Sequence, residues 1–361
     1  MGKLTGRALV LNTGSTSLKA AVFAEDASQE PLWAVDVDVT AIGTSRVAGF
    51  ERVLRMAPDI AAITVVGHRV VHGGQRFDQS VLIDADVEAA IGELKELAPL
   101  HNQVALDGVS AARRVVASEV PHVAVFDTVF HRTLPPAAAA YGGPREWMDQ
   151  GLRRYGFHGI SHHHAAHSAA TILHRPLESL RLVTCHLGGG CSLAAVDRGR
   201  SVDTTMGFTP LDGLVMAARS GSVDPGLIFH LLRSGTSVDE LEALLARRAG
   251  LLGLSGVSAD LREVVTARDA GDDHAALAVD VFVHRVATGV GAMIAALAGV
   301  DAIVFTGGIG ENSAEIRARV SDHFAFLGVA VDNTRNDSSP IDADPSGPGS
   351  RVAVVVVKSR G

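Results

Sequence analysis

Two arginines stand where a charge is costly. Arg69 closes the apolar run of Val66-Gly67-His68-Arg69-Val70-Val71 ahead of Gly73-Gly74, and Arg219 sits in Met216-Ala217-Ala218-Arg219-Ser220-Gly221. A buried guanidinium must be paired, and its planar fork suits a carboxylate or a phosphoryl group. A structural ion pair accounts for one such arginine; two at glycine-flanked sites favour an anionic ligand. Asp127 follows the apolar run Val123 to Phe126, at the carboxyl end of an expected strand, where α/β folds place ligands. It can hold Mg²⁺ through water, orient a substrate oxygen or cap the next element.

Three glycine- or serine-rich turns follow apolar runs, and small side chains let backbone N–H groups approach phosphate oxygens. The first is Asn12-Thr13-Gly14-Ser15-Thr16-Ser17, followed by Lys19. Lys19 can neutralise a phosphate while Ser15 and Ser17 donate hydroxyl hydrogens, or the turn is an ordinary hairpin with a solvated lysine. The second is His186-Leu187-Gly188-Gly189-Gly190, and the third Thr306-Gly307-Gly308-Ile309-Gly310. After the third, Asn312 and Ser313 can cap a helix through Ile316 and Val320.

Histidines are less specific. His101 and His158 lie at polar-apolar junctions, where a structural donor is the common role. In Ser161-His162-His163-His164-Ala165-Ala166-His167, His163 and His167 fall one helical turn apart and can reach one zinc ion. The glutamate of hydrolytic zinc sites is absent, so a partly exposed helix start is the favoured reading.

The elements that must position these residues alternate between β and α. Strands are expected at Ala8 to Leu11, Leu18 to Phe23, Ala61 to Val66, Val123 to Phe126, Leu182 to Cys185, Ser192 to Val196, Ala302 to Phe305 and Val352 to Val357. Helices are expected near Asp84 to Leu97, Gln103 to Ala117, Leu211 to Ala218, Val238 to Arg248 and Asp273 to Leu297. Aligning Gly14 with Gly188 lays LVLNTGSTSLKAAV over LVTCHLGGGCSLAAV with one gap, an internal echo at about half the chain length that indicates a duplication. No apolar period runs through Pro135 to Gly143, so a hinge is placed there, between domains 1–135 and 144–361. Asn336 to Ser350, rich in Asp, Pro, Ser and Gly, is expected to be a surface loop.

At 361 residues the chain is long enough for two domains. With 47% hydrophobic and 20% charged residues it should be globular. A formal net charge of -8 disfavours non-specific nucleic-acid binding. Cys185 and Cys191 are the only cysteines, which fits a reduced, cytoplasmic compartment. The N-terminal apolar run is too short for a signal peptide, and charge or glycine interrupts the longer ones, so no membrane segment is expected.

Taken in order, LNTGSTSLK, GHRVVHGG, LAPLHN, AVFDTVFHRTLP, YGFHGISH, HLGGGCS, DTTMGFTPLDG, RSGSVDPG and FTGGIGEN resemble the acetate kinase family from Ala8 to about Asn312. The resemblance implies two duplicated actin-like (ribonuclease H-like) α/β domains with an interdomain cleft, and reversible transfer of a phosphoryl group between ATP and acetate with Mg²⁺, or Mn²⁺ in its place. It implies that Asn12 and Asp127 lie at the metal, that Lys19, Ser15 and Ser17 face the nucleotide phosphates, and that Arg69 and Arg219 flank acetate and phosphoryl. His158 would donate to the phosphoryl with His101 in support. Val71, Leu100, Phe157 and Pro210 would wall the acetate methyl. The nucleotide would rest on His186, Leu187, Gly188, Gly189 and Gly190, on Asp260, Leu261 and Arg262, and on Gly308, Ile309, Gly310, Glu311 and Asn312. The family's homodimer is expected as well. The chemistry would be in-line displacement by an already ionised carboxylate, which needs no strong base.

Two departures accompany the resemblance. Gly189 stands where acetate kinases commonly carry asparagine, nearer to the butyrate kinase loop. The family's chain continues past the last strand into an acidic pair that helps to hold Mg²⁺ and then a returning helix, whereas this sequence reads Val357-Lys358-Ser359-Arg360-Gly361. The alternatives are a propionate or butyrate kinase, since a methylene is worth only about 1 to 3 kcal/mol in an apolar pocket, and a nucleotide-binding protein without turnover.

Overall fold

The computed structural model describes residues 6–14, 17–24, 30–38, 45–94, 102–338 and 341–359. The chain forms two compact units, Met1–Val129 and Phe130–Gly361.

In the first unit, β1 (Arg7–Thr13) and β2 (Ser17–Ala24) form an antiparallel hairpin that sets Asn12 opposite Lys19. β3 (Trp33–Asp38) extends it antiparallel on one side, and β4 (Ile63–Val70) lies parallel to β1 on the other. β5 (Val81–Leu82) is a short edge strand on β6 (His122–Phe126), which runs parallel to β4. The order is β3-β2-β1-β4-β6-β5. Leu9 and Leu11 of β1 pack with Val66, Phe50 and Leu54 of the helix Arg46–Leu54, and Ala111 and Ala112 of the helix Asn102–Arg113. Gly108 lets that second helix close on β1, because a Cβ there would lie 2.7 Å from Thr13 Cγ2. Val70, Phe77, Ile91, Val109 and Phe126 fill a second cluster.

The second unit builds the same plan from β7 (Arg181–Leu187), β8 (Cys191–Asp197), β9 (Arg200–Thr204), β10 (Ala302–Thr306) and β11 (Ala353–Val356). Its order is β11-β10-β7-β8-β9, with β7-β8-β9 antiparallel and β7-β10-β11 parallel. In both units three strands make an antiparallel meander and two more add in parallel beside the first. The shared order carries the duplicated, actin-like fold that the internal echo points to. β8 is buried along all but its last residue and β10 throughout, as expected of strands covered on both faces.

The helix Asp273–Leu297 covers one face. Asp272 caps it by accepting from Ala275 N at 2.9 Å, and its buried stripe runs Ala275, Val279, Phe282, Val286, Val290, Met293 and Leu297, a spacing of three and four residues that faces one side. Asp280, Arg285, Gly289 and Gly291 interrupt this helix, yet by length and composition it is apolar enough to cross a membrane. Its apolar stripe is taken up by β7, β8 and β9.

Two expectations change. Leu211 to Ala218 is irregular, because Gly213 at φ 101° turns the chain out of a helix. The turn after β10 is itself helical, Gly307–Asn312. The Pro135 to Gly143 stretch belongs to the second unit: Ala139 is fully buried, its carbonyl accepts from Arg154 N, and the Tyr141 hydroxyl accepts from Phe208 N at 2.7 Å.

Candidate active site

In the first unit the carboxyl ends of three neighbouring parallel strands each deliver one polar group. Asn12 comes from β1, Arg69 from β4 and Asp127 from the residue after β6. Arg69 Nε donates to both Asp127 carboxylate oxygens at 3.1 Å, its Nη2 donates to Asp127 Oδ2, and its Nη1 donates to Asn12 Oδ1 at 2.9 Å. Asp127 is 1% exposed. Burial opposes the Arg69 charge, but the carboxylate outweighs it and raises the guanidinium pKa above its ordinary value. Asp127 N is held by Val70 O at 3.0 Å, which ties the aspartate to the end of β4. Lys19, opposite Asn12, is exposed and pairs at 3.1 Å with Asp36 across β2 and β3. Val71 is half-buried just past β4. Ser15, Leu100 and His101 lie outside the described residues, and Ser17 is described only in its backbone.

In the second unit His158 heads the helix Gly159–Ile172 with φ 57° and ψ 25°, a left-handed conformation that costs a non-glycine residue of order 1–3 kcal/mol and marks functional positions. The residue's ring is fixed from behind. Thr184 Oγ1 donates to Ala194 O at 3.4 Å, so His162 Nδ1 donates to Thr184 Oγ1 at 2.8 Å and His162 Nε2 accepts from Ser192 Oγ at 2.8 Å. Ser192 Oγ is then the acceptor for His158 Nδ1 at 2.9 Å. This relay directs the Nε2 edge of His158 to the glycine turn, where a Cβ on Gly190 would lie 3.2 Å from His158 Nε2 and 3.6 Å from Arg219 Nη1. Gly190 thus brings His158 and Arg219 to one place. Complete burial, then the nearby His131 and His186, push His162 well below the usual histidine range, so it is neutral. The His186 ring lies against His158, centroids 4.3 Å apart and tilted by 32°, and shares a 2.8 Å hydrogen bond with Ser161 Oγ.

Arg219 is anchored by Pro210 O at 3.0 Å and Met216 Sδ at 3.6 Å. Among the described residues no carboxylate pairs with it, and burial lowers its pKa, opposed only by the Cys191 thiol. Phe157, next to His158, is 1% exposed, and Pro210 is half-buried.

Beyond the glycine turn a cavity of about 780 Å³ opens, lined by Gly188, Gly189, Asp260, Leu261, Arg262, Gly308, Ile309 and Asn312, together with Ala259, Val265, Ser313 and Glu315. A Cβ on Gly189 or on Gly308 would meet nothing within 4 Å, so the backbone at both positions is open to a ligand. Gly307, at φ 80°, has to be glycine: a Cβ there would lie 2.7 Å from Leu187 O. Asp260 caps the helix Leu261–Asp269 through Arg262 N at 2.9 Å, and the Arg262 side chain closes on its carboxylate and lowers its pKa. Leu187, Gly310 and Glu311 are buried behind the lining, with Glu311 Oε1 accepting from Ser359 N at 2.9 Å. Ser313 caps the helix Ala314–Asp322 as expected, while Asn312 Nδ2 donates to Gly308 O at 2.8 Å.

Two supports carry no signal that sequence reasoning picks out. Arg317, fully buried, donates from Nη1 to the carbonyls of Gly310 and Glu311 at 3.0 and 2.7 Å and from Nε and Nη2 to Asn336 at 2.7 and 2.8 Å. It satisfies the last carbonyls of the helix Gly307–Asn312. Arg268 pairs with Glu315 at the cavity wall.

Residues 50–360 match the acetokinase family. A curated acetate kinase of Gloeobacter violaceus is 46% identical over 389 residues, covering 98% of this chain and 96% of the relative, and one of Synechococcus is 47% identical over 385 residues, covering 98% and 95%. Among solved structures, the acetate kinase of Porphyromonas gingivalis superposes with a TM-score of 0.88 at 34% identity, and a propionate kinase of Francisella tularensis with 0.88 at 36%, each covering 98% of this chain and 96% of the other. With its twin sheets, its glycine turns, Arg69 at a strand end and Arg219 in the loop after β9, this chain belongs to the acetokinase family, kinases that phosphorylate a carboxylate.

Proposed function

We infer that the protein is an acetate kinase, which moves a phosphoryl group reversibly between ATP and acetate by direct in-line transfer. The observation that carries this reading is the cavity of about 780 Å³ opening at Gly188, Gly189 and Gly308, next to the Gly190 position that Arg219 approaches; Arg219 is a half-buried cation with no carboxylate partner among the described residues. The nucleotide rests in that cavity, its phosphates along His186 to Gly190 and Gly308 to Asn312 and its adenosine by Asp260, Leu261 and Arg262. Lys19, Ser15 and Ser17 serve the nucleotide phosphates. Arg219 and His158, which donates from Nε2 in its doubly protonated form because Nδ1–H is already given to Ser192 Oγ, hold the non-bridging oxygens of the migrating phosphoryl, while Arg69 orients the acetate carboxylate between walls supplied by Val71, Leu100, Phe157 and Pro210. His101 supports His158. The acetate is already ionised, so no residue has to remove a proton.

Asn12 and Asp127 present hard oxygen atoms to the same guanidinium, a donor set that suits Mg²⁺, which takes one or two carboxylates plus phosphates and water; Mn²⁺ fits the same oxygens. Bound there, the ion supplies charge neutralisation on the phosphate oxygens.

A homodimer is supported by the helix Pro225–Arg233, which buries none of its residues within the chain and exposes Leu227 and Phe229. Light scattering checks the mass.

Coupled assay of acetyl phosphate formation with Mg·ATP tests the activity, and kcat/KM across acetate, propionate and butyrate tests the acceptor. Acetate should lead; a lead for propionate would assign the chain to the activity named for the Francisella structure, and ATP binding without any transfer would leave a nucleotide-binding protein.

A further inference from the structure

The histidine cluster on the helix Gly159–Ile172 is not used up by the site described above. His162 is buried in the relay behind His158, and His164 Nε2 is turned to Lys358 O at 3.2 Å. His163 and His167 remain, both exposed and one helical turn apart. Their ring centroids are 4.1 Å apart at an interplanar angle of 37°. His163 is also braced edge-on by Phe130, centroids 5.6 Å apart at 84°.

The tautomer of His167 follows from its partner. Its Nδ1 lies 3.0 Å from the His163 carbonyl oxygen; that oxygen can only accept, so Nδ1 carries the proton and the lone pair is on Nε2. A ring nitrogen that donates to a backbone carbonyl while the other stays free as a ligand is the usual arrangement of metal-binding histidine. A cation about 2.0–2.1 Å from a nitrogen of each ring needs ring centres roughly 4.5–5 Å apart, within reach by a small rotation of two exposed side chains.

We propose that His163 and His167 form a two-histidine site for a borderline first-row divalent cation, of the class of Zn²⁺, Ni²⁺ and Cu²⁺, with water in the remaining positions. Imidazole selects these ions over Mg²⁺, which prefers oxygen, so the site is chemically separate from Asn12 and Asp127. Among the described residues no group of three or more potential ligands gathers, so water completes the set that the two histidines begin. Cys185 and Cys191, the soft competitors, are fully buried, and burial holds the Cys191 thiol up at about 12. Closing a chelate between positions i and i+4 also clamps the first turns of the helix that His158 heads.

Calorimetric titration of the untagged, EDTA-stripped full chain with Ni²⁺ or Zn²⁺, in excess Mg²⁺, reads the site directly. Wild type should bind one equivalent, and His163→Ala and His167→Ala should each weaken binding at least about tenfold, while His164→Ala stays within about twofold because its Nε2 faces Lys358. Thermal unfolding in EDTA verifies that every variant is folded, and the cation should raise the wild-type Tm but not that of the double variant. Equal binding by wild type and the His163→Ala/His167→Ala double variant, an equal loss in His164→Ala, or no binding by wild type would each overturn the proposal.

Discussion

The two units share a strand order but hold their key arginines in opposite surroundings, Arg69 at the carboxyl end of β4 and Arg219 in the irregular segment after β9. In the first, the guanidinium of Arg69 is paired with Asp127 and Asn12, which leaves a second N–H on each terminal nitrogen for a substrate, and its pKa is raised. In the second, Arg219 meets a backbone carbonyl and a thioether but, among the described residues, no carboxylate, and burial lowers its pKa. One arginine is neutralised by the fold; the other carries a charge that its surroundings do not cancel. Duplication has kept the scaffold, and residues at a few strand ends and turns decide which copy's arginine meets a ligand with a carboxylate already beside it and which meets one without.

The largest expected effect is on catalysis. Asp127→Asn keeps the shape but removes the charge that Arg69 and the proposed metal share, and should lower kcat roughly 10³-fold in the acetyl phosphate assay; a loss under tenfold would move the metal elsewhere. Next, Arg69→Met leaves the Asp127 carboxylate buried and alone, so urea unfolding should report about 3–5 kcal/mol of lost stability. An unchanged midpoint would mean the pair is not integral to the first unit.

In the second unit Arg317→Leu should cost about 2–4 kcal/mol, because several buried acceptors lose their donors at once, and should raise the KM for ATP by loosening the helix Gly307–Asn312. A stability loss with unchanged KM would separate that helix from the nucleotide.

The smallest effect concerns pH. In the first unit His68 Nε2 and His122 Nδ1 share a buried 2.8 Å hydrogen bond, and burial, then neighbouring positive charge, pulls them down to about 3 and about 4. The unfolded chain titrates them near 6.5, so it binds more protons than the folded one below that pH, and stability should fall as pH drops from about 6.5 toward 4. His122→Gln should flatten the decline in a Tm-against-pH series; an unaltered slope would assign it to other groups.

What is legible in the sequence follows from the range of the interactions. The hairpins around Gly14 and Gly188 are readable because apolar runs and small-residue turns are local signals. The helix Asp273–Leu297 is readable to the residue because a capping aspartate and an apolar stripe mark it. Leu211 to Ala218 misleads because its apolar spacing is near-helical, while Gly213 at φ 101° overrides spacing. The helix Leu261–Asp269 escapes a reading by periodicity because only Leu261 and Val264 are buried in it. Arg317 is invisible for a different reason: in a polar helix it reads as solvated, and its partner Asn336 lies on a separate element. Asn12, Arg69 and Asp127 stand out singly, but that one guanidinium joins them depends on β1, β4 and β6 lying side by side.

Arg219→Met, assayed for acetyl phosphate formation and for its urea midpoint in one preparation, tests most directly whether this arginine is held for a ligand. The expected result is a fall in kcat/KM of about 10²–10³-fold at a midpoint equal to or above that of wild type, since a half-buried charge with no carboxylate partner among the described residues contributes little to the fold. Activity near wild type, or a loss of stability as large as that of Arg69→Met, would contradict it.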